Sequence, residues 1–324
     1  MNAKTFLSMV MLAAVLLFFS GCGNSSNGSV QRSNPYISGT EGLSVSFEPN
    51  SIPNPALDNG QSSFSLAVHL INKGSFTIPA GKVKVSLSGF NPAVFGVSAD
   101  DIVKRTDSDL EGVTKLSGKS TSPGQTIITF PPFSYKSKLL SDSITLNLVA
   151  NVCYLYQTDA LGYLCVKANP YSTDNTVCSV SGQKTIYSSA APIQVSELTE
   201  NLAGNSKLKF VFNIEQKGNG LVFSPDSDCS VNSTNMYAVE NKVFVTIKTA
   251  PSLNGKITCN GLADQKSGNG IVTGYATLYN KQAVISCIED LDEVSTDFEP
   301  TLHIIISYDY DTTITAPLVV QKSE

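Results

Sequence analysis

Tryptophan is absent from this chain of 324 residues, and histidine occurs only twice, as His69 and His303. The first absence removes the side chain best suited to stacking on a sugar ring. The second removes most Ser-His-Asp and Cys-His arrangements, because the general base would have to be one of two residues that each sit in a strand-like run. Two histidines without a third ligand also make a poor zinc site. Charge is scarce too: Asp, Glu, Lys and Arg make up 15% of the chain, against about 25% in ordinary soluble proteins. With a net charge of −5 and no Lys/Arg cluster, the chain has no basic field for nucleic acid. There is no Gly-x-Ser-x-Gly, no phosphate-binding glycine loop and no close Cys-x-x-Cys pair for zinc. Beyond residue 22 no segment sustains a helical period. These gaps leave a non-enzymatic, cofactor-free β protein as the expected class.

What is present begins at the N-terminus. Lys4 precedes an apolar stretch over residues 6–19, followed by Ser20, Gly21 and Cys22. The stretch is shorter than the ~20 residues that cross a bilayer, so residues 1–21 read as a cleaved export signal. Phe19-Ser20-Gly21-Cys22 resembles the lipobox of prokaryotic lipoproteins, with Phe in place of the usual Leu. That resemblance implies a diacylglyceryl group on Cys22, a mature chain starting there, and anchorage on the outer face of the cell membrane; an ordinary secretory signal is the alternative. At roughly 0.8 kcal/mol per buried methylene, two acyl chains hold a protein on a membrane durably. Residues 22–40, rich in Gly, Ser and Asn, read as a flexible tether with a reach of ~20–25 Å. Glycosylation acceptor patterns begin at Asn24, Asn27 and Asn232.

Six further cysteines, Cys153, Cys165, Cys178, Cys229, Cys259 and Cys287, are an even number in an exported chain and point to three disulfides. Three lie before residue 190 and three after it, so complete pairing requires a bridge between the halves. Cys165 with Cys178 and Cys229 with Cys259 are the favoured pairs, leaving Cys153 with Cys287. The alternative is one bridge in each half and a spare buried thiol in each.

Period-two alternation over residues 42–47, 64–70 and 83–89, punctuated by Gly, Pro and Asn, predicts half-buried antiparallel strands. Similar runs follow over 126–130, 144–152, 164–166, 193–195, 208–214, 242–248, 271–279, 283–287, 302–310 and 314–320, while 98–124 reads as a long loop or weak edge. A Ser/Ala/Pro linker at 188–192 divides the chain into two expected β-sandwich domains, 41–187 and 188–324. They share two motifs in the same order. A strand ends in Asn72-Lys73-Gly74 in the first and in Gln216-Lys217-Gly218 in the second. Tyr154-Leu155-Tyr156-Gln157-Thr158 is matched by Tyr308-Asp309-Tyr310-Asp311-Thr312. This order suggests two copies of one unit. The strand ending in Lys-Gly looks like the immunoglobulin-like modules of CARDB type found in archaeal and bacterial surface proteins. The run from Cys153 through Cys165 and Cys178 to Ala191-Pro192-Ile193 is similar to uncharacterised archaeal membrane-anchored lipoproteins. The resemblance implies two immunoglobulin-like sandwiches at the cell surface and carries no catalytic residue with it.

Candidate ion sites are weak. Residues 107–112 alternate Asp107, Asp109 and Glu111 ahead of Gly112 like the start of a calcium loop, but Gly118 stands where the bidentate Glu belongs. The acidic run of Glu289, Asp290, Asp292, Glu293, Asp297 and Glu299 fits no standard spacing. Within each Tyr-x-Tyr pair both rings fall on one face of a strand, and a structural corner role is favoured over a stacking surface. The expectation is a non-catalytic lipoprotein that binds or spaces at the cell envelope, with the membrane as one partner and an envelope protein or glycan as another. One rival is a filament or surface-layer subunit pairing through edge strands, the C-terminal segment 314–320 being the strand to suspect. An envelope hydrolase is the lesser rival.

Overall fold

The computed structural model describes residues 32–324 apart from 117, 176, 205, 231–235, 254, 292 and 293. Cys22 and the three acceptor sites at Asn24, Asn27 and Asn232 lie outside the described residues. The body is nearly all-β, built as two sandwiches in tandem from antiparallel sheets; among the described strands β2 alone lies parallel to its neighbour, β20. Its first repeat contains β1 (Leu43–Phe47), β2 (Ala56–Leu57), β3 (Phe64–Asn72), β4 (Val83–Ser88), β5 (Val103–Arg105), β6 (Lys115–Leu116), β7 (Lys119–Ser120), β8 (Gln125–Phe133) and β9 (Ser143–Tyr163). The connecting stretch carries β10 (Gly182–Gln183) and β11 (Ile186–Ser188). The second repeat contains β12 (Ile193–Leu202), β13 (Lys207–Gln216), β14 (Leu221–Phe223), β15 (Lys242–Thr249), β16 (Ile257–Asn260), β17 (Ala263–Gly268), β18 (Ile271–Thr277), β19 (Gln282–Asp290) and β20 (Thr301–Gln321). Among the described residues no helix is long and apolar enough to cross a membrane.

The alternation read from sequence is the alternation of burial. In β15, Val243, Val245 and Ile247 are fully buried between residues that are not, and β4 buries Val83, Val85 and Leu87 in the same rhythm. The predicted loop over 98–124 supplies β5, an edge strand paired only to β4.

The repeats correspond strand for strand. A small sheet of order β1-β3-β8 answers to β12-β13-β19 in a five-stranded sheet that also holds β10 and β16. Both face one ten-stranded sheet whose main path runs β17-β18-β15-β20-β9-β4-β5. At its centre β9 and β20 pair without a register shift along all 21 residues of each strand. The first half of β9 lies beside β4, and the second half of β20 completes that sheet. Reciprocally, the first half of β20 lies beside β15 and is completed by the second half of β9. Each sandwich therefore borrows its last strand from the other.

This exchange corrects the expected division at 187/188. Pro35–Glu324 is one compact unit, and residues 35–40, assigned to the tether by composition, belong to it. The expected linker 188–192 is not an exposed hinge: Ser189, Ala190 and Ala191 are buried. Its backbone ties the two repeats together, Ser75 N donating to Ala190 O and Lys217 N to Pro192 O. Small side chains there let three backbones approach closely, which is why Ser, Ala and Pro read as a linker from composition alone.

Candidate functional site

The two copies meet at a quartet of tyrosines, where Tyr154 pairs in register with Tyr310 and Tyr156 with Tyr308. Ring centroids stand 5.7 Å apart in the first pair and 6.3 Å in the second. A pseudo-twofold axis passes through the Leu155 and Asp309 pairing and exchanges the repeats. The polar contacts obey it. Leu43 N donates to the Tyr154 hydroxyl and Ile193 N to the Tyr308 hydroxyl, each at 3.3 Å. Tyr156 donates to Asn72 Oδ1 at 3.2 Å, and the Tyr310 hydroxyl accepts from Gly220 N at 2.6 Å. Asn72 and Gln216 then use their side-chain NH2 groups to hold the following turns, on Phe76 and Leu110 carbonyls in one repeat and on Gly218 and Gly220 carbonyls in the other. Burial holds all four phenols above the usual range, so they serve as neutral hydrogen-bonding groups.

The same geometry explains the Lys-Gly motif. A Cβ on Gly74 would lie 1.8 Å from the Tyr156 hydroxyl oxygen, and one on Gly218 2.2 Å from that of Tyr310. The early and late motifs of each copy are thus two sides of one contact: a hydroxyl occupies the space where any other residue would place a side chain.

Cavities lie on both faces of the central sheet at this axis. On the outer face a space of about 310 Å³ is lined by Lys82, Arg105, Cys153, Asp226, Asp228 and Asp309, among others. Its charges are joined in a clamp between the repeats. Lys82 pairs with Asp226 at 2.8 Å and Arg105 with Asp228 at 2.5 Å, while Lys84 donates to the Asp228 carbonyl at 2.6 Å. The hydrogen bond from Arg105 holds the Asp228 carboxyl below its ordinary value. Asp309, almost fully buried, accepts from Asp226 N, Ser227 Oγ and Asp228 N, and burial holds its carboxyl above the usual range. On the inner face a space of about 230 Å³ is lined by Leu43, Tyr154, Pro192, Gly218, Tyr310 and Thr312, among others.

The cysteines close three disulfides: Cys165 with Cys178, Cys153 with Cys229, and Cys259 with Cys287. The expected Cys229–Cys259 and Cys153–Cys287 pairs do not form. Cys259 and Cys287 sit opposite each other on neighbouring strands β16 and β19, whereas Cys229 reaches β9 in a loop turned about Asp309. Cys153–Cys229 is the bridge that crosses the repeats.

The other singled-out residues disperse. His69 lies 3.6 Å from Glu48 in the small sheet, and His303 is exposed on β20 in the large one. Asp109 caps Ala80 N and Glu111 accepts from Thr77, so the 107–112 run fastens a turn. In the second acidic run Asp290 pairs with Lys207, Asp297 accepts from Ala168 N, and Glu289 is fully buried with Thr249 Oγ1 at 2.8 Å; Asp292 and Glu293 lie outside the described residues. Among the described residues one group, Cys153, Cys229 and Asp309, brings three metal-ligating side chains within 4.8 Å of one another, and its sulfurs are already bonded together. Sequence reading missed the ionic clamp, whose signal was the Asp226-Ser227-Asp228 run beside Cys229. It also missed the pair of Lys184 with the buried Glu200, joined at 2.9 Å, for which no signal existed in the local sequence.

No family model and no curated protein matches the chain. Among solved structures, the secreted serine protease VesC of Vibrio cholerae aligns with 82% of this chain and half of its own length, at 12% identity and a TM-score of 0.18. A partial N-terminal region of the enterococcal surface protein aligns with 84% of this chain and 89% of its own, at 8% identity and a TM-score of 0.20. The serine-rich repeat adhesion glycoprotein Srr1 of Streptococcus agalactiae aligns with 87% of this chain and 96% of its own, at 10% identity and a TM-score of 0.18. Superpositions at these scores support no functional assignment.

Proposed function

We propose that this protein is a non-catalytic binding or structural module displayed at the cell envelope and held there by lipid on Cys22. The observation that carries the reading is the use made of the charged groups around the outer cavity. They are paired with one another across the repeats, so the site stiffens the molecule. Three disulfides fit an oxidising compartment outside the cytoplasm. The CARDB-like resemblance points the same way, toward a surface module that meets an envelope protein or glycan. Intact mass spectrometry of the full chain purified from membranes, before and after reduction and alkylation, tests the proposal. The expected mass is that of a chain starting at Cys22 with a lipid increment and six thiols alkylated only after reduction. An unlipidated chain with free thiols would defeat it.

The filament reading has one observation in its favour, an edge of β20 over 312–319 with no strand beside it among the described residues. Pro317 weighs against a long continuous ladder on that edge, because it lacks an N–H.

A further inference from the structure

We infer that the open edge of β20 over residues 312–319 takes a short extended strand of a partner polypeptide, lying antiparallel as β11 lies on β9. This deepens the binding-module reading and rests on it.

The edge is defined at both ends. β14 occupies the outer side of β20 at Asp309, Tyr310 and Asp311, and β2 occupies it at Val320 and Gln321. Between them roughly 25 Å of strand has β9 paired on one side and no described strand paired on the other. The unbroken register fixes which groups face outward. Thr301 and Gln321 turn their carbonyls away from β9, to Ala250 and Asp58, so Thr313, Thr315 and Pro317 point the same way. Thr313 and Thr315 each offer an N–H and a C=O; Pro317 offers only its carbonyl. The ladder available is therefore short.

The pseudo-twofold shows what fits there. Under the exchange that carries Tyr154 to Tyr308, Ala160 and Gly162 of β9 correspond to Ile314 and Ala316 of β20. On β9 the position is filled: Ile186 lies opposite Gly162, Tyr187 opposite Leu161 and Ser188 opposite Ala160, and Ser189 exchanges hydrogen bonds with Asp159. Beneath that strand Ala160 is 1% exposed, whereas Ile314, on the inner face of β20, is only partly buried against the core. Residues 36–38 precede β1 at the same spacing as β11 precedes β12, but they run elsewhere. Tyr36 lies beside Asp159 and Tyr163, and Gly39 accepts from Ala191 N. Among the described residues this position is thus filled in one repeat and open in the other. The substitutions set the partner's pattern: a β-branched residue opposite Ala316, a small one opposite Ile314, and a tolerant outward residue between them opposite Thr315. At the start of the edge, Thr312 borders the inner 230 Å³ cavity, which gives room for a side chain at one end of the strand.

The test uses the full chain in detergent and a fluorescein-labelled synthetic peptide with the sequence of residues 184–190. Binding is read by anisotropy and its location by hydrogen exchange. The expected result is saturable binding with exchange slowed at the outward amides of Thr313 and Thr315. Thr315→Pro removes only an outward N–H and should weaken binding about tenfold or more without lowering the melting temperature. If that variant fails to fold, N-methylation of the peptide tyrosine, whose N–H faces the edge, should have the same effect on the unaltered protein. Absence of saturable binding, or equal affinity in these controls, overturns the inference. Protection of the outward Thr313 and Thr315 amides without peptide also overturns it: if it grows with protein concentration, a second copy is the occupant, and if it is constant, another segment of this chain is. None of these results alters the lipid and thiol masses that decide surface anchoring.

Discussion

Gly74 and Tyr156 meet so closely that one constrains the other, and the same holds for Gly218 and Tyr310. Gly74→Ala should destabilise the protein by about 1–3 kcal/mol through overpacking, read as a lower melting temperature. Tyr156→Phe removes the colliding oxygen, so the double variant should lose less than the two single variants together; strict additivity would show that the contact is not responsible. Glu289 gives a second residue-scale prediction. Burial pushes its carboxyl up to about 7, above the value of about 4.3 for the unfolded chain. Between those values the folded state binds more protons than the unfolded one, so stability falls as pH rises from about 5 to about 8. Glu289→Gln should flatten that slope, leaving the smaller share of other buried carboxyls such as Asp311, raised to about 6, and melting profiles at a series of pH values will show it. A wild-type profile that rises over this range would be the contrary result.

At the scale of elements, β20 is not a detachable tail. Its second half buries Leu318 and Val320 and completes the sheet of the first sandwich. Deleting residues 313–324 should therefore cost more than the ~3–6 kcal/mol that burial of two aliphatic side chains provides, because the ladder with β9 is lost as well. Circular dichroism melting should show the first repeat unfolded. A variant that melts like the parent would mean the strand contributes nothing to the core. This also changes what a filament test can read, since loss of oligomers on that deletion would follow from unfolding alone. The edge strands show how elements are kept apart: Pro317 faces outward on β20, and Pro131 and Pro132 sit on β8, an edge of the small sheet.

For the whole molecule, reciprocal strand exchange makes the repeats mutually dependent. Residues 35–187 and 188–324 expressed apart should each fail to give a cooperative melting transition, and mixing them should restore one. Independent cooperative melting of either half would refute the shared-sheet dependence. The clamp of Lys82, Lys84 and Arg105 on Asp226 and Asp228 lies beside Cys153–Cys229, which closes a loop of 76 residues between the repeats. In the chain-entropy view such a loop is worth about 4 kcal/mol. Replacing both cysteines by Ser should lower the melting temperature of the whole body in one transition. A separate early transition would show that the repeats can part.

The positions of the longer strands, the all-β class and the presence of two copies were legible in the sequence, because side-chain alternation is local and the copies kept the residues of one close contact; the short edge strands β5, β6 and β7 fell in a stretch read as loop. The Lys-Gly and Tyr-x-Tyr motifs were visible as words, but the contact that joins them spans residues 74 and 156. The paired acids and bases of the outer cavity were invisible for the same reason: Arg105 and Asp228 are distant in the chain and are brought together by the pairing of β9 with β20. Which cysteines bond and which edge stays open also depended on that pairing. Local periodicity decides whether a residue faces in or out. Only the tertiary structure decides which strand stands next to it, because register and sheet order are set by contacts between segments far apart in the chain.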